Sequence, residues 1–394
     1  VDKPQVRKIE IIPLRGGKVI LRDPFGISEN TLIIDEEFLY LIFLMDGTRD
    51  LKDLQVEWMR KYGVMLFSEQ IEEFVKKLDE NYMLNNERFF RKKMEIEEEF
   101  RSRDVREPAL MGKAYPSDER ELRIYIERIM SSWGSEKFNG RALIVPHIDL
   151  ERGKSVYAKG FSCLKERRCP EIILLIGTAH FAEDEAPFIL TMKDFLIPFG
   201  RIRTDKNSVK RINEICGLDL CREEFAFKNE HSVEFPLLFL SFLYGTGFEV
   251  IPLLVNSFDR FVEKGIEPSE DESFKKFFSA VKEVLKGRDF LCICAADLSH
   301  LGPRFGDPEP LGISELSAME AIDTAIINSI QSGNPSLLFR EIETIKNRTR
   351  VCGFPPIYTL LSIIENQKGR LISYEYAYSP DDGSAVSFSA IAFE

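Results

Sequence analysis

The sequence is sparing with the side chains that most often carry chemistry. Its 394 residues include four histidines and seven cysteines, and neither type occurs before His147. Any imidazole or thiolate site therefore belongs to the later part of the chain, and residues 1 to about 87 read as a docking element. Positive charge is also in deficit. A net charge of −12 argues against a nucleic-acid partner, because phosphate binding needs a basic surface. The basic cluster Arg91-Lys92-Lys93 runs straight into the acidic stretch Glu95 to Glu99 and reads as a solvated helix face. No apolar run reaches the roughly 20 residues needed to span a bilayer. Val1-Asp2-Lys3-Pro4-Gln5 does not read as part of a signal peptide. An odd number of cysteines without framework spacing fits a reducing compartment. The expectation is a cytoplasmic protein with no membrane segment.

What is present is ordinary for a globular chain: 44% apolar and 30% charged residues, enough for a substantial core. The length predicts two domains. Residues 1–87 read as a small α/β unit. Short strands are expected at Val6–Leu14, Lys18–Leu21 and Thr31–Ile34, helices at Glu36–Met45, Leu51–Tyr62 and Glu69–Leu78, and a returning strand at Tyr82–Leu84. Residues 88–105 form a charged helical linker, and 106–394 a second domain. There, apolar runs at Ala142–Val145, Ile172–Ile176, Phe248–Ile251 and Phe290–Ile293 fit strands covered on both faces by helices. Helices are expected over Asp205–Cys216, Val233–Phe242, Glu272–Leu285 and Ser314–Ser332. Arg370–Tyr378 and Ala385–Phe393 read as a closing antiparallel pair, turned at Pro380-Asp381-Asp382-Gly383.

Three of the four histidines follow a predicted strand: His147 after Leu143–Pro146, His180 in Gly177-Thr178-Ala179-His180, and His300 in Asp297-Leu298-Ser299-His300. In an open α/β sheet, ligands bind beyond the carboxyl ends of the strands, so these three are expected to converge on one polar cleft. Imidazole there suits a transition metal. Each alone would be an ordinary loop histidine. Asp149 and Asp297 accompany His147 and His300, while Glu230 and Glu234 flank His231. Glu234, three residues after His231, either supports the cleft or is an acidic residue favoured by the helix dipole. Cys352, between Val351 and Gly353, is a loop thiol, either soft ligand or inert. Cys292 and Cys294 are not read as a metal pair.

Val145-Pro146-His147-Ile148-Asp149, Ile176 to His180, Glu230-His231-Ser232-Val233-Glu234, Asp297 to Gly302 and Val351-Cys352-Gly353 occur in the order expected of one family. On these motifs the chain resembles the Memo family, called AmmeMemoRadiSam system protein B in microbes, from about Arg106 to Phe393. The resemblance implies an α/β sheet flanked by helices like that of the class III extradiol dioxygenases, which use non-haem iron. It also implies His147, His180 and Cys352 as metal ligands, with Asp297, His300 and His231 as catalytic residues in the same pocket. Asp149 and Glu234 are assigned to substrate binding. Animal members have Pro-His-Ala-Gly-Tyr where this chain has Pro-His-Ile-Asp-Leu, so Asp149 is an added carboxylate. The first 87 residues resemble, through Leu21-Arg22-Asp23-Pro24, Ile34 to Glu37 and Asp46-Gly47-Thr48, small peptide-binding winged-helix domains.

Two functions follow as expectations. One is a redox enzyme using iron or copper in preference to zinc, with a small molecule or peptide in the cleft. The other is a non-catalytic binding module that works with a radical S-adenosylmethionine enzyme and an AMMECR1-type protein, as the system's name implies.

Overall fold

The structure is a computed structural model that describes residues 2–14, 16–28, 30–135, 138–182 and 186–394. The chain divides into two compact units, Val1–Ser102 and Arg103–Glu394. Among the described residues no helix is long and apolar enough to cross a membrane.

The first unit begins with a three-stranded antiparallel sheet of Glu10–Leu14, Lys18–Arg22 and Leu32–Asp35. Helices Leu39–Leu44, Leu51–Tyr62, Ser68–Glu80 and Glu87–Ser102 follow. Asp50 caps the second of these through the Asp53 amide, and Gly63 ends it in the left-handed conformation at φ 67°, as cap chemistry requires. Apolar residues at helical spacing (Leu54 and Trp58, then Ile71, Phe74, Val75 and Leu78) close over Val19 and Leu21 of the sheet. The strand expected at Tyr82–Leu84 is reduced to a single bridge between Leu84 and Val6. Tyr82 turns the chain at φ 55°, so Met83 and Leu84 enter the core from a turn rather than from a ladder.

The second unit is built on one large mixed sheet. Four strands run parallel in the order Ala142–Val145, Phe290–Ala295, Ile172–Thr178 and Glu249–Val255. All residues of the first and third are buried, as expected of strands with helices on both faces. Antiparallel strand Ser384–Phe393 joins the edge at Ala142–Val145, and Gly369–Ser379 and Asp297–Leu301 both pair with it. The other edge carries Gly200–Thr204, then Asp194–Ile197 and Val105–Arg106. Helices Lys206–Cys216, His231–Tyr244, Glu272–Leu285 and Ile313–Gln331 fall where their apolar periodicity puts them. Helices Glu119–Met130, Leu150–Ser162, Pro335–Thr344 and Phe354–Ile364 add to the sequence reading. Cys292 and Cys294 both point into the same apolar core, where burial pushes the Cys292 thiol up to about 12.

Register decides what happens at the carboxyl ends. Val145 lies opposite Ala295, and Ile176 opposite Cys294. His147, Asp297 and His180 therefore leave three adjacent parallel strands at nearly one level.

Candidate metal centre

His147 is buried, and its Nδ1 lies 3.0 Å from the Ala295 carbonyl oxygen. A carbonyl only accepts, so Nδ1 carries the hydrogen and Nε2 keeps a lone pair. Two further groups face that lone pair: Cys352 Sγ at 3.3 Å and Asp297 Oδ2 at 3.6 Å. The other oxygen of Asp297 accepts the His147 amide at 2.9 Å and the Ile148 amide at 3.3 Å, which fixes the turn after the strand. Burial lowers the basicity of His147 against the pull of Asp297.

His180 is set by Glu230, a fully buried carboxylate at the N-cap of helix His231–Tyr244. Glu230 takes the His180 amide at 3.0 Å, His180 Nδ1 at 3.1 Å and the Ser232 amide at 2.9 Å, and lies 3.3 Å from His231 Nδ1. Despite the cost of burial, the adjacent His180, with His231 and the Ser232 amide, holds this carboxyl far below its ordinary range. With Nδ1 bound to a carboxylate, His180 presents Nε2, the usual way a supporting acid fixes a ligating imidazole. Burial alone would lower the His180 value; Glu230 outweighs it and the net direction is up. The His147, His180 and His231 rings stand 5.0, 5.3 and 4.9 Å apart. Burial pushes His231 down to about 3, so it is neutral near pH 7. From sequence, Glu230 stands out only as a neighbour of His231, and the site role falls to Glu234. The signal for Glu230 was there: a carboxylate at the N-cap position immediately before a cleft histidine.

Cys352 arrives on a contorted loop. Lys346, Asn347 and Arg350 all have positive φ, 51°, 46° and 53°, a conformation that costs non-glycine residues energy and gathers at functional sites. The loop is held against the Asp297–Leu301 strand: the His300 amide donates to the Thr349 carbonyl at 2.7 Å, and Gly353 N donates to the Asp297 carbonyl at 3.1 Å. Burial, reinforced by Asp297, drives the Cys352 thiol well above its ordinary value. Glycine at 353 is required by space: a Cβ would fall 2.3 Å from the Asp297 carbonyl oxygen and 2.8 Å from Ala296 Cβ. Gly353→Ala is expected to push the Cys352 turn off the strand and lower metal affinity about 10- to 100-fold, the range seen when supporting contacts are lost. Calorimetric titration of the metal-free protein checks this, and parental affinity would show that the turn tolerates the methyl group.

His147, His180 and Cys352 thus form one group whose ligand atoms all lie within 4.8 Å of one another, and His180, Glu230 and His231 form a second. His300 belongs to neither group, although it feels the charge of Asp297 and the imidazoles of His147 and His180. Its Nδ1 lies 3.0 Å from the Leu298 carbonyl oxygen, so in the neutral ring the open nitrogen is Nε2. Burial pushes His300 down to about 4. An unfolded chain takes up this proton near pH 6.5, the folded chain only near 4. Stability is therefore full above about pH 6.5 and falls as pH drops toward 4, by at most about 3 kcal/mol from this group. Denaturant titrations of metal-free His300→Gln and parent between pH 7.5 and 4.5 are expected to show a shallower loss in the variant. Equal slopes would mean that the native ring titrates normally.

The two residues assigned to substrate both make structural contacts. Asp149 is exposed and caps helix Leu150–Ser162, accepting the Glu151 and Arg152 amides at 3.1 and 3.3 Å. Glu234 is fully buried against Arg106, and its carboxylate also accepts the Ala109 amide at 2.9 Å, the Leu110 amide at 3.0 Å and the Tyr115 hydroxyl at 2.5 Å. Four donors saturate it, so the structure gives Glu234 the task of fastening residues 106–115 to the helix that begins at His231.

The family model of the Memo-like proteins matches residues 106–392. A MEMO1 family protein of Aquifex aeolicus is 34% identical over 99% of this chain and 100% of its own length. MEMO1 family protein TTHA0924 of Thermus thermophilus is 30% identical over 87% of this chain and 98% of its own. A MEMO1 family protein of Ignicoccus hospitalis is 25% identical, and 73% of this chain covers 98% of it. By both the family model and these full-length relatives, the chain belongs to the Memo-like protein family.

Proposed function

We propose that this protein is a metal-dependent redox enzyme whose iron or copper is held by His147 Nε2, His180 Nε2 and Cys352 Sγ. The observation that carries the reading is the thiol facing the unprotonated His147 nitrogen at 3.3 Å. Metal bonds of about 2.0–2.3 Å in a tetrahedral arrangement put such ligand atoms roughly 3.6 Å apart, so an ion could replace the thiol proton with little movement. Two imidazoles and a thiolate are soft to borderline donors and favour iron, copper or zinc over magnesium or calcium. When bound, iron or copper supplies one-electron redox chemistry at an open coordination position.

The remaining steps fall to the chain. Glu230 and the Ala295 carbonyl hold the two imidazoles in the ligating tautomer. His300, neutral at pH 7, accepts a proton from substrate at Nε2, and Asp297 stabilises the imidazolium that results. His231 orients the substrate beside His180. The donor set is not the two-histidine, one-carboxylate triad of iron oxygenases, so the reading commits to redox chemistry and not to ring cleavage. Elemental analysis of protein purified without chelators and without oxygen tests it, followed by anomalous diffraction at the metal edges. One iron or copper per chain at this site is expected; metal-free protein that takes up neither ion would end the proposal.

A second reading has its own observation. The first unit leaves the large apolar side chains Ile33, Phe43, Met59 and Phe67 between 50% and 70% exposed. On this reading residues 1–87 dock a peptide or partner, such as a radical S-adenosylmethionine enzyme or an AMMECR1-type protein, and residues 88–105 join them to the metal-bearing domain. The Ignicoccus relative, covered almost entirely by three quarters of this chain, together with a family match confined to residues 106–392, supports a second unit that stands alone. A chain begun at Arg103 is therefore expected to fold and bind metal with parental affinity. Failure to fold would mean that the two parts share one core.

A further inference from the structure

Asp297 and His300 are three residues apart on one strand, and strict alternation would send their side chains to opposite faces. The register shows why it does not. Asp297 lies opposite Phe388 and His300 opposite Val386, so three steps on one strand match two on the other. This is a β-bulge, a device that re-aims side chains at the cost of ladder hydrogen bonds. Leu298 packs into the apolar core, leaving Ser299 as the residue whose backbone and side chain need other partners.

Those partners are supplied by a buried polar network that the proposed chemistry does not use. The Ser299 amide donates to Ser387 Oγ at 2.9 Å. The Ser299 hydroxyl donates to Asp323 Oδ1 at 2.6 Å, and the Tyr374 hydroxyl donates to Asp323 Oδ2 at 2.7 Å. Asp323 sits on helix Ile313–Gln331 and is fully buried. A carboxylate there is costly unless its oxygens are satisfied, and no cation neutralises it among the contacts above. The acid is therefore kept for what it grips.

We propose that Asp323 is a positioning residue of the metal-bearing cleft: through Ser299 it holds the bulge that turns His300 to the same side as Asp297. This rests on the reading that His300 and Asp297 serve that cleft, but its test does not require metal or turnover. The chain has only four histidines, so nitrogen-15 histidine spectra of the whole metal-free protein contain four rings, assignable by single His→Gln variants. In Asp323→Leu the His300 signals are expected to lose the tautomer pattern fixed by its Nδ1 bond to Leu298, while those of His147, His180 and His231 stay in place. Asp323→Asn keeps an acceptor for Ser299 and should retain the parental His300 signals. Ser299→Ala removes only the hydroxyl link and should reproduce the His300 change, which decides the matter if Asp323→Leu does not fold. Unchanged His300 signals in either folded variant would overturn the proposal, as would movement of all four rings together, the mark of a merely structural role. Metal content, measured separately, tells this failure apart from failure of the metal reading.

Discussion

Cys352→Ser is expected to lose metal while keeping its fold. The residue sits in the turn before helix Phe354–Ile364, and the hydroxyl that replaces the thiol is close in size, so no cavity opens. What is lost is the thiolate. Losing a supporting contact costs about 10- to 100-fold in metal affinity, so loss of the ligand itself should exceed about 100-fold. The thiol is raised well above its ordinary value by burial and by Asp297, so metal uptake must expel a proton. Affinity in the parent should therefore weaken about tenfold for each pH unit lowered, and this dependence should shrink in Cys352→Ser. His300→Gln provides the contrast, keeping full metal content and losing turnover. Metal per chain and proton release on titration are the measurements. Equal occupancy in Cys352→Ser and parent would make the cysteine a bystander and move the centre to His180, Glu230 and His231.

The parts of this site that a sequence displays are those governed by short-range rules. Continuous apolar runs give the central strands, and a histidine two to four residues beyond such a run leaves the sheet at its carboxyl end. The positions of His147 and His180 were legible for that reason. Cys352 was legible through family likeness only, since a loop thiol between Val351 and Gly353 has no spacing of its own. Helix Phe354–Ile364 escaped because its two prolines and its apolar residues on nearly every face, broken only by Thr359 and Ser362, mask the helical period, although proline is welcome in a first turn. The bulge between Asp297 and His300 is a matter of register with a strand some ninety residues later in the chain. Nothing local announces it. The choice between Glu230 and Glu234 is of the same kind. Both flank His231, and only the placement of residues 106–115, more than a hundred positions earlier, decides which carboxylate is consumed by an arginine.

That arginine carries the second large effect. Glu234→Ala is expected to destabilise the protein by about 3–5 kcal/mol, the usual cost of leaving one member of a buried ion pair uncompensated. Arg106 would keep its bonds to the Phe227 and Glu230 carbonyls at 3.0 and 2.9 Å, but its charge would be stranded in the interior. The Ala109 and Leu110 amides and the Tyr115 hydroxyl would lose their acceptor at the same time. Replacing both charges, Arg106→Met with Glu234→Leu, should recover only the part of the loss that comes from the stranded charge, because the Ala109 and Leu110 amides and the Tyr115 hydroxyl stay without their acceptor. Denaturant unfolding of metal-free parent, single and double variants gives the coupling directly. The sequence reading assigned Glu234 to substrate, and a side chain with that task could be removed for less than about 0.5 kcal/mol. A single variant as stable as the parent would favour the substrate role. A large loss partly relieved by the second substitution would make Arg106 and Glu234 the fastening between the start of the second unit and the helix whose N-cap holds His180.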